Sequence, residues 1–560
     1  MTNLTNILSK LTALIEKNKA YIVDGSLNRN LLAADARKYD SELLNLLQKD
    51  KELKEHFFAA TDGGLVFKKD VFLQFIMNKE FLPDSYTKYK IKIGLGAEDG
   101  SLLSESGDVV LNWPYKDTIL EGGQDKEDQK RSEVFFNEVL APDQITRLLD
   151  DKVFTNWKRY DKDGEHDLDE LKDDDNLIIK GNNLVVLHSL KKRYAGKVKL
   201  IYIDPPYNTG SDSFRYNDRF THSAWLTFMK NRLNVARELL ADDGLILVQI
   251  DQDESHYLKV LMDELFGRDN FRNELIWSYR TGGASKKTTL PKKHDIIFAY
   301  SKSSSFGFKG AKERQYLEKS FMGSKQDENG RYYVDTLLRD VFEGVILSPK
   351  DDGSIKEYNV RPVLNLSSER VENFQSQKPE GLIELLLDLT TNKGDLVMDY
   401  HLGSGTTASA AHKTGRRYIG IEQLYYGDND PTVRLNSVIS GDQSGISKSV
   451  DWQGGGSFVY ANIVNNSNRF RKRVEAAKND SDYLNLLKEA TSSSFLSYRV
   501  DPKKLNEDEF RKLSAAEKRR LLLELIDNNT LFVNYDDIND PVFKVSEKDK
   551  EYNKKLYEKN

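Results

Sequence analysis

The sequence has no cysteine among its 560 residues, and it lacks several other features that mark common protein classes. Without cysteine there are no disulfides, no cysteine-bound zinc and no thiol nucleophile. No stretch of about 18 apolar residues occurs, so a membrane-spanning helix is not predicted. The N-terminal segment has no small-residue cleavage site of the secretory type. These absences favour a cytoplasmic prokaryotic protein without a metal site.

The charge is unevenly distributed along the chain. A formal net charge of −6 is unusual for a nucleic-acid-binding protein, which ordinarily carries a basic face. Residues 161–175 hold nine acidic residues and two lysines, and we predict a solvated linker there. Residues 281–350 hold thirteen Lys or Arg against eight Asp or Glu, so a local basic surface is compatible with the acidic total.

The order of predicted elements indicates an α/β core between two helical regions. Short apolar runs such as VKLIYID (198–204), GLILVQID (244–251) and RRYIGIE (416–422) alternate with helical patterns. This alternation predicts a parallel sheet with helices on both faces. The pattern breaks where an inserted module rich in Lys, Ser, Gly and Tyr occurs. The predicted divisions are 1–165, 166–302, 303–372, 373–465 and 466–560.

A glycine-rich turn follows another predicted strand, in LVMDYHLGSGTTASA (396–410). The strand ends at Asp399, and Gly403 and Gly405 allow the backbone to approach a ligand closely. A helix beginning at Thr406, just after Ser404, offers free backbone N–H groups to an anion. The Lys-Ser/Thr ending of a nucleotide triphosphate loop is absent, so a triphosphate site is not predicted.

An acidic residue ends the next strand, about 20 residues further along the chain. Glu422 of YIGIEQ is placed to accept bonds from the two hydroxyls of a ribose. The turn and the acid together predict a ligand that contains adenosine. At this point both NAD and S-adenosylmethionine fit.

The stretch IYIDPPYNTG (201–210) favours the second ligand. An exocyclic amine on an aromatic base is a poor nucleophile, because its lone pair is delocalised into the ring. The carboxylate of Asp204 and a carbonyl near Pro206 can each accept one N–H bond and free that lone pair. Pro205 and Pro206 fix the direction of the carbonyl. Tyr207 offers a ring for base stacking, worth about 1–3 kcal/mol.

DPPY preceding DxxxGSGTT resembles the β-group of amino-methylating DNA methyltransferases. GLILVQIDQDESHYLKVLMDELFG, FQSQKPEGLIELLL, GDQSGISK and WQGGGSFVYA further resemble the modification (Mod) subunit of type III restriction–modification systems. The resemblance implies a Rossmann-like methyltransferase sheet with circularly permuted motif order, and an S-adenosylmethionine cofactor. It implies adenine methylation at N6, a homodimer, double-stranded DNA as substrate, and a separate helicase–nuclease (Res) subunit.

The resemblance also assigns roles to residues. Asp204, Pro205, Pro206 and Tyr207 match the catalytic tetrad, and Asp399, Gly403, Ser404, Gly405, Thr406 and Glu422 match the cofactor loop. The motif beside the methionine end of the cofactor is matched by Phe374, Gln377, Lys378 and Pro379. The insertion 303–372 matches the target-recognition position. The lysines beside it are predicted to contact DNA phosphates, and they are Lys286, Lys287, Lys292 and Lys293.

Other functions are compatible with parts of this pattern. Cytosine-N4 methylation uses the same geometry, although Ser is more usual where Asp204 stands. Carbon-5 methylation is excluded, because it needs a cysteine nucleophile. Protein glutamine methyltransferases have NPPY instead, without a large insertion. The chain is also compatible with an orphan methyltransferase, or with a mainly DNA-reading and assembly role in a restriction complex.

Overall fold

The computed structural model describes most of the chain. The described residues are 29–61, 64–77, 110–120, 148–210, 217–279, 290–366, 368–371, 376–463, 479–492, 513–524 and 532–558, together with a few shorter pieces. No helix in these ranges is long and apolar enough to cross a membrane.

The N-terminal region combines short helices with two-stranded hairpins. Asp40 and Asp50 begin two of the helices by accepting hydrogen bonds from backbone N–H groups of the first turn. Phe57, Phe72 and Phe75 form its buried core. The elements are β1 (Ile22–Val23), β2 (Ser26–Leu27), α1 (Arg29–Arg37), α2 (Ser41–Leu47), α3 (Lys51–Phe57), β3 (Phe58–Thr61), β4 (Gly64–Phe67), α4 (Lys69–Met77), β5 (Gly94–Gly96), β6 (Val110–Asn112), β7 (Thr118–Ile119) and β8 (Phe136–Asn137).

The core begins earlier than predicted, with a hairpin at the edge of the main sheet. Its first part contains β9 (Phe154–Asp161), β10 (Gly164–Asp167), β11 (Leu177–Lys180), α5 (Asn183–Tyr194), β12 (Val198–Ile203), α6 (His222–Leu239), β13 (Leu240–Ile250), α7 (Ser255–Phe266), β14 (Phe271–Ser278) and β15 (His294–Ser301). The linker predicted at 161–175 is wrong over its first residues, because β9 and β10 pair antiparallel there. The predicted division at 165/166 lies inside β10.

The insertion forms small antiparallel sheets of its own. Its strands are β16 (Lys312–Leu317), β17 (Lys325–Gln326), β18 (Tyr332–Leu337), β19 (Val341–Glu343), β20 (Val345–Pro349) and β21 (Ile355–Asn359). Three of them make one sheet in the order β16-β18-β17, and β20 pairs with β21. β19 pairs in parallel with β14, so the insertion is joined to the edge of the main sheet.

The remaining core and the C-terminal region follow the insertion. Their elements are α8 (Glu380–Thr390), β22 (Leu396–Asp399), α9 (Thr406–Lys413), β23 (Arg417–Glu422), α10 (Pro431–Ile439), β24 (Phe458–Ile463), α11 (Asp480–Ser492), α12 (Ala515–Glu524) and α13 (Glu547–Tyr557). Short 3-10 helices cover Arg268–Asn270, Val363–Asn365, Gly427–Asn429, Tyr535–Asp537 and Pro541–Phe543. Helix α13 packs on the sheet, where the Asn553 side chain bonds both the N–H and the carbonyl of Phe154.

Eleven described strands form the main sheet, in the order β10-β9-β24-β11-β23-β22-β12-β13-β15-β14-β19. The six strands from β24 to β13 are parallel, and β15 is antiparallel to β13. The parallel strands are apolar runs because helices cover both faces: α5, α6 and α7 pack on one, and α8, α9 and α10 on the other.

This sheet confirms the predicted fold class. Strand β12, which leads into DPPY, comes before β22 in the chain, yet the two strands are direct neighbours. The permuted order therefore brings the two predicted motifs to the same edge of the sheet. Strand β15 departs from the simple alternation, because it runs antiparallel to both of its neighbours, β13 and β14.

Candidate active site

A cavity of about 670 Å³ lies at the edge where β12 and β22 end. Asp204 directly follows β12, and Asp399 is the last residue of β22. Of the predicted catalytic and cofactor-binding residues, those that line the cavity are Asp204, Pro205, Pro206, Tyr207, Gln377, Lys378, Asp399, Gly403, Ser404, Thr406 and Glu422. Lys292, one of the predicted DNA contacts, lines it as well. Gly405 and Pro379 do not line the cavity, although each is next to residues that do, and Phe374 is outside the described residues.

The glycine-rich turn takes its shape from positive φ angles and from Glu422. Gly403 has φ +55° and Gly405 has φ +82°, both in the left-handed region that glycine adopts without strain. The Glu422 carboxylate accepts the N–H of Gly403 at 2.7 Å and the N–H of Leu424 at 2.7 Å. Burial raises the pKa of Glu422 to about 7. Glu422 is therefore a fixed carboxylate on the cavity wall.

Asp399 holds the start of the same turn. Its carboxylate accepts the backbone N–H of His401 at 2.9 Å and the hydroxyl of Thr407 at 2.6 Å. Burial raises the pKa of Asp399 to about 7. Both oxygens are thus used to shape the turn. We interpret Asp399 as a residue that shapes the predicted cofactor loop and also lines the cavity.

A buried group of charges supports the helix that follows the turn. Arg434 donates to the Thr406 hydroxyl at 2.8 Å and to Glu380 Oε1 at 2.8 Å. Lys413 donates to Glu380 Oε2 at 2.9 Å. Although burial raises it, the two cations lower the pKa of Glu380 to about 2. The segment GDQSGISK closes over this carboxylate, since a Cβ at Gly445 would lie 2.1 Å from Glu380 Oε2.

Asp204 has two oxygens in different environments. Oδ2 accepts a hydrogen bond from Lys378 Nζ, whereas Oδ1 is buried and has no hydrogen-bond partner among the described residues. Burial raises the pKa of Asp204, and the Lys378 ammonium opposes that rise. Lys378, which we predicted beside the cofactor, therefore contacts the acceptor motif directly.

The Pro206 carbonyl is already engaged. It accepts a hydrogen bond from the indole N–H of Trp225 at 2.8 Å. Trp225 is fully buried in helix α6, so this bond fixes the loop from the core side. The prediction that a carbonyl near Pro206 accepts from the substrate amine stays a prediction. The Pro206 carbonyl uses one of its two lone pairs for Trp225, and Pro205 also lines the cavity.

Gln377 and Lys292, two of the predicted site residues, have side-chain partners within the protein. Gln377 accepts the N–H of Val371 and donates to the carbonyl of Glu369, which closes a loop beside the cavity. Lys292 forms ion pairs with Asp251 at 2.8 Å and with Asp253 at 3.1 Å. The carbonyl of Lys293 accepts from Tyr279, and Lys286 and Lys287 lie outside the described residues.

Comparison with known proteins identifies the family. A DNA methylase family model matches residues 198–425, and a model of the type III restriction/modification enzyme methylation subunit matches residues 40–95. The chain is 32% identical to the probable type III restriction-modification enzyme HindVI Mod subunit of Haemophilus influenzae, over 96% of each protein.

The chain belongs to the Mod subunits of type III restriction–modification enzymes. This finding confirms the predicted enzyme class, a DNA methyltransferase with S-adenosylmethionine as methyl donor. The chain is also 39% identical to the EcoP15I Mod subunit of Escherichia coli, over 28% of this chain and 27% of that protein.

Solved structures of other methyltransferases are similar over about half of this Mod chain. The M1.HpyAVI–SAM complex is 15% identical with a TM-score of 0.29, covering 46% of this chain and 98% of that one. The cytosine-N4-specific PvuII DNA methyltransferase is 15% identical with a TM-score of 0.32, covering 50% and 91%.

The cavity of the Mod chain fits a cationic donor. Among its lining residues, the carboxylates Asp204, Asp251, Asp295, Asp399 and Glu422 outnumber the cations Lys292, Arg370 and Lys378. At Gly405, φ is positive and a Cβ would meet Pro431 at 3.0 Å, so the turn packs too closely for a side chain. A cavity rich in carboxyl groups beside a tight glycine turn suits a ligand that carries a sulfonium and a ribose.

Sequence reasoning missed three residues of this site, namely Trp225, Asp295 and Arg434. Trp225 and Arg434 lie within helices, where the pattern indicates only packing. Asp295 is near the start of β15, which is antiparallel, so its first residues reach the edge at which the parallel strands end. The sequence signal for Asp295 was its position at the start of the apolar run DIIFAY (295–300). The direction of this strand in the sheet was not predicted.

Proposed function

We propose that the chain transfers a methyl group to the exocyclic N6 amine of an adenine in a specific duplex DNA sequence. The observation that carries this proposal is the buried Asp204 Oδ1, which has no partner among the described residues and belongs to a cavity-lining carboxylate. A buried acceptor without a donor is costly. An amine N–H that enters the cavity would satisfy it.

The residues of the acceptor loop activate that amine. Asp204 Oδ1 and a proline carbonyl accept its two N–H groups, which favours a pyramidal nitrogen with an available lone pair. Tyr207 presents its ring to the base. Lys378 opposes the rise in the pKa of Asp204 that burial causes, which favours the charged form, the only pure acceptor. S-adenosylmethionine, when bound, supplies the electrophilic methyl group.

We propose that the opposite wall holds that donor. Glu422 accepts hydrogen bonds from ribose hydroxyls with the lone pairs that Gly403 and Leu424 leave unused. The Ser404 and Thr406 hydroxyls, at the start of α9, receive the polar methionine end. Because β12 and β22 are adjacent, donor and acceptor bind side by side, and alignment is the main contribution of the protein.

The adenine must leave the duplex to reach this cavity, at a cost of a few kcal/mol. We propose that the insertion 303–372 reads the target sequence, because its small sheets stand at the edge of the main sheet beside β14. Phosphate contacts from Lys286, Lys287 and Lys293 would position the DNA. Lys292 is a weaker candidate, since two aspartates already pair with it.

We propose that the chain works in the prokaryotic cytoplasm as a homodimer together with a Res helicase–nuclease subunit. The N-terminal region and the C-terminal region, 466–560, are the candidate contact regions. The end of the C-terminal region is less suitable, because α13 is packed on the chain's own sheet. Co-purification with the neighbouring gene product would test this assembly.

The experiment that tests the reaction uses labelled S-adenosylmethionine and genomic DNA from a host without adenine methylation. We expect the label in N6-methyladenine after nucleoside mass analysis. Label in N4-methylcytosine would support the second candidate, which shares this loop geometry. Absence of label from DNA with correctly folded protein would contradict both.

A further inference from the structure

Asp295 is a buried carboxylate that lies beside the acceptor loop. Its side chain accepts the Tyr207 hydroxyl at 3.0 Å and the Gln249 amide at 2.9 Å on Oδ2, and the Tyr279 hydroxyl at 2.9 Å on Oδ1. The residue is 5% exposed, and no Lys or Arg of the described residues forms an ion pair with it. A buried charge that is satisfied only by neutral donors is costly and needs a reason.

The sheet explains how Asp295 reaches this place. It lies in β15 opposite Trp277 of β14, and Gln249 lies near the end of β13. Gln249 in turn accepts the Tyr202 hydroxyl of β12 at 2.6 Å. Three strands, β12, β13 and β15, together with Tyr279 just after β14, therefore contribute to one hydrogen-bonded group that includes Tyr207 of DPPY. The arrangement ties the acceptor loop to the rigid sheet.

The partners of Asp295 are aromatic residues of the cavity. Tyr207, Tyr279 and Trp277 all line it, and the rings of Trp277 and Tyr279 lie 5.2 Å apart. Burial, followed by the charges of Asp204 and Asp295, raises the pKa of Tyr207, so its hydroxyl remains a donor. With its hydroxyl held, the axis of the Tyr207 ring keeps one direction and the ring stays at the cavity wall.

We propose that Asp295 is a positioning residue for methyl transfer, which fixes the Tyr207 ring as the stacking surface of the acceptor base. Through Tyr279 it also fixes a second aromatic wall of the same pocket. The pocket takes a planar, aminated heteroaromatic ring, and stacking aligns the amine with Asp204. This inference rests on the proposed function.

The chemistry requires a carboxylate rather than an amide at this position. Three donors converge on Asp295, and a carboxylate accepts from all of them. The isosteric change Asp295→Asn replaces one oxygen with an NH₂ group, which would face a donor. One oxygen is then left for three donors, so at least one of the three bonds is lost or, at a tyrosine hydroxyl, reversed in direction, with almost no change in volume.

The test compares Asp295→Asn, Tyr207→Phe and the double variant as full-length protein with genomic DNA lacking adenine methylation. We expect each single change to lower kcat by about 10–100-fold, while calorimetry gives an S-adenosylmethionine Kd within about twofold of wild type. The double variant should be no more than about threefold slower than the slower single variant, because both changes act on the same hydrogen-bonded group.

Asp263→Asn is the matched control. Asp263 accepts the hydroxyl of Tyr300, at the other end of β15 and away from the cavity, at 2.6 Å. We expect this variant to lose thermal stability as Asp295→Asn does, yet to keep the wild-type kcat.

Three results would overturn the inference: wild-type kcat in Asp295→Asn, independent multiplication of the two single losses, or an equal loss in Asp263→Asn. If the wild-type chain methylates DNA and Asp204→Ala does not, such a result rejects the role of Asp295 alone. If the wild-type chain transfers no methyl to DNA, the proposed function falls together with it.

Discussion

The two loops that meet at the cavity are held in different ways. The cofactor loop, 399–406, takes its shape mainly from its own sequence and from the next strand, through two glycines and the Glu422 carboxylate. The acceptor loop, 204–207, is fixed by side chains from distant segments, namely Trp225, Asp295 and Lys378. A local motif is enough to describe the first loop, whereas the second depends on the tertiary fold.

Among changes to the two loops, Gly403→Asp is expected to have the largest effect on cofactor binding. The change places a carboxylate beside Glu422 and Asp399, two buried carboxyl groups whose pKa burial already raises to about 7. We expect the S-adenosylmethionine Kd to rise at least about 100-fold, which is about 2.7 kcal/mol. Calorimetry measures it, and an unchanged Kd would contradict the assigned role of the turn.

Lys378→Met should reduce methyl transfer strongly and change its pH dependence. Burial raises the pKa of Asp204 and Lys378 lowers it, so removing the cation raises that pKa further. Because the ionised form is active, we expect kcat to fall about 100-fold at pH 7 and to recover partly at higher pH.

Lys378→Arg retains the charge and serves as the control for that experiment, with a pH profile close to that of the wild type. Lys199→Met, which removes a lysine paired with Asp243 away from the cavity, should leave the profile unchanged. An identical acid limb in Lys378→Met and in wild type would show that Lys378 does not act through Asp204.

Trp225→Phe should have the smallest effect. It removes the hydrogen bond to the Pro206 carbonyl and some buried volume, which together cost about 1–3 kcal/mol of stability. We expect a lower Tm and a kcat reduced about tenfold or less. Trp113→Phe is the matched control, because Trp113 is buried and donates to Thr227 of the same helix at 3.0 Å.

The Trp113→Phe protein should lose a similar amount of stability and keep wild-type kcat. Equal kcat losses in the two tryptophan variants would mean that helix α6 acts on the whole core and has no specific effect on the acceptor loop.

Much of the fold, and the placing of the two loops at the cavity, could be predicted from the sequence. The strands VKLIYID and DLVMDY, and the turns after them, are local patterns, and parallel strands bring their carboxyl ends to one edge. The antiparallel direction of β15 could not be predicted, because it depends on pairing with β13 and β14. For the same reason the prediction missed Asp295. It also assigned Lys378 to the cofactor site without its contact to Asp204.

The edges of the sheet were also difficult to predict from the sequence. The acidic stretch at 161–175 has the composition of a linker, yet β9 and β10 form there because Tyr160 stacks on Phe458 and pairs with the neighbouring strand. Composition alone does not reveal such long-range partners.

The measurement that tests the account most directly is a paired assay of Asp204→Ala, with methyl transfer to DNA and S-adenosylmethionine binding determined on one preparation. We predict that transfer falls by at least about 1000-fold while the Kd stays within about twofold of the wild-type value. Substantial remaining transfer, or loss of cofactor binding in parallel with activity, would contradict the separation of acceptor activation from donor binding.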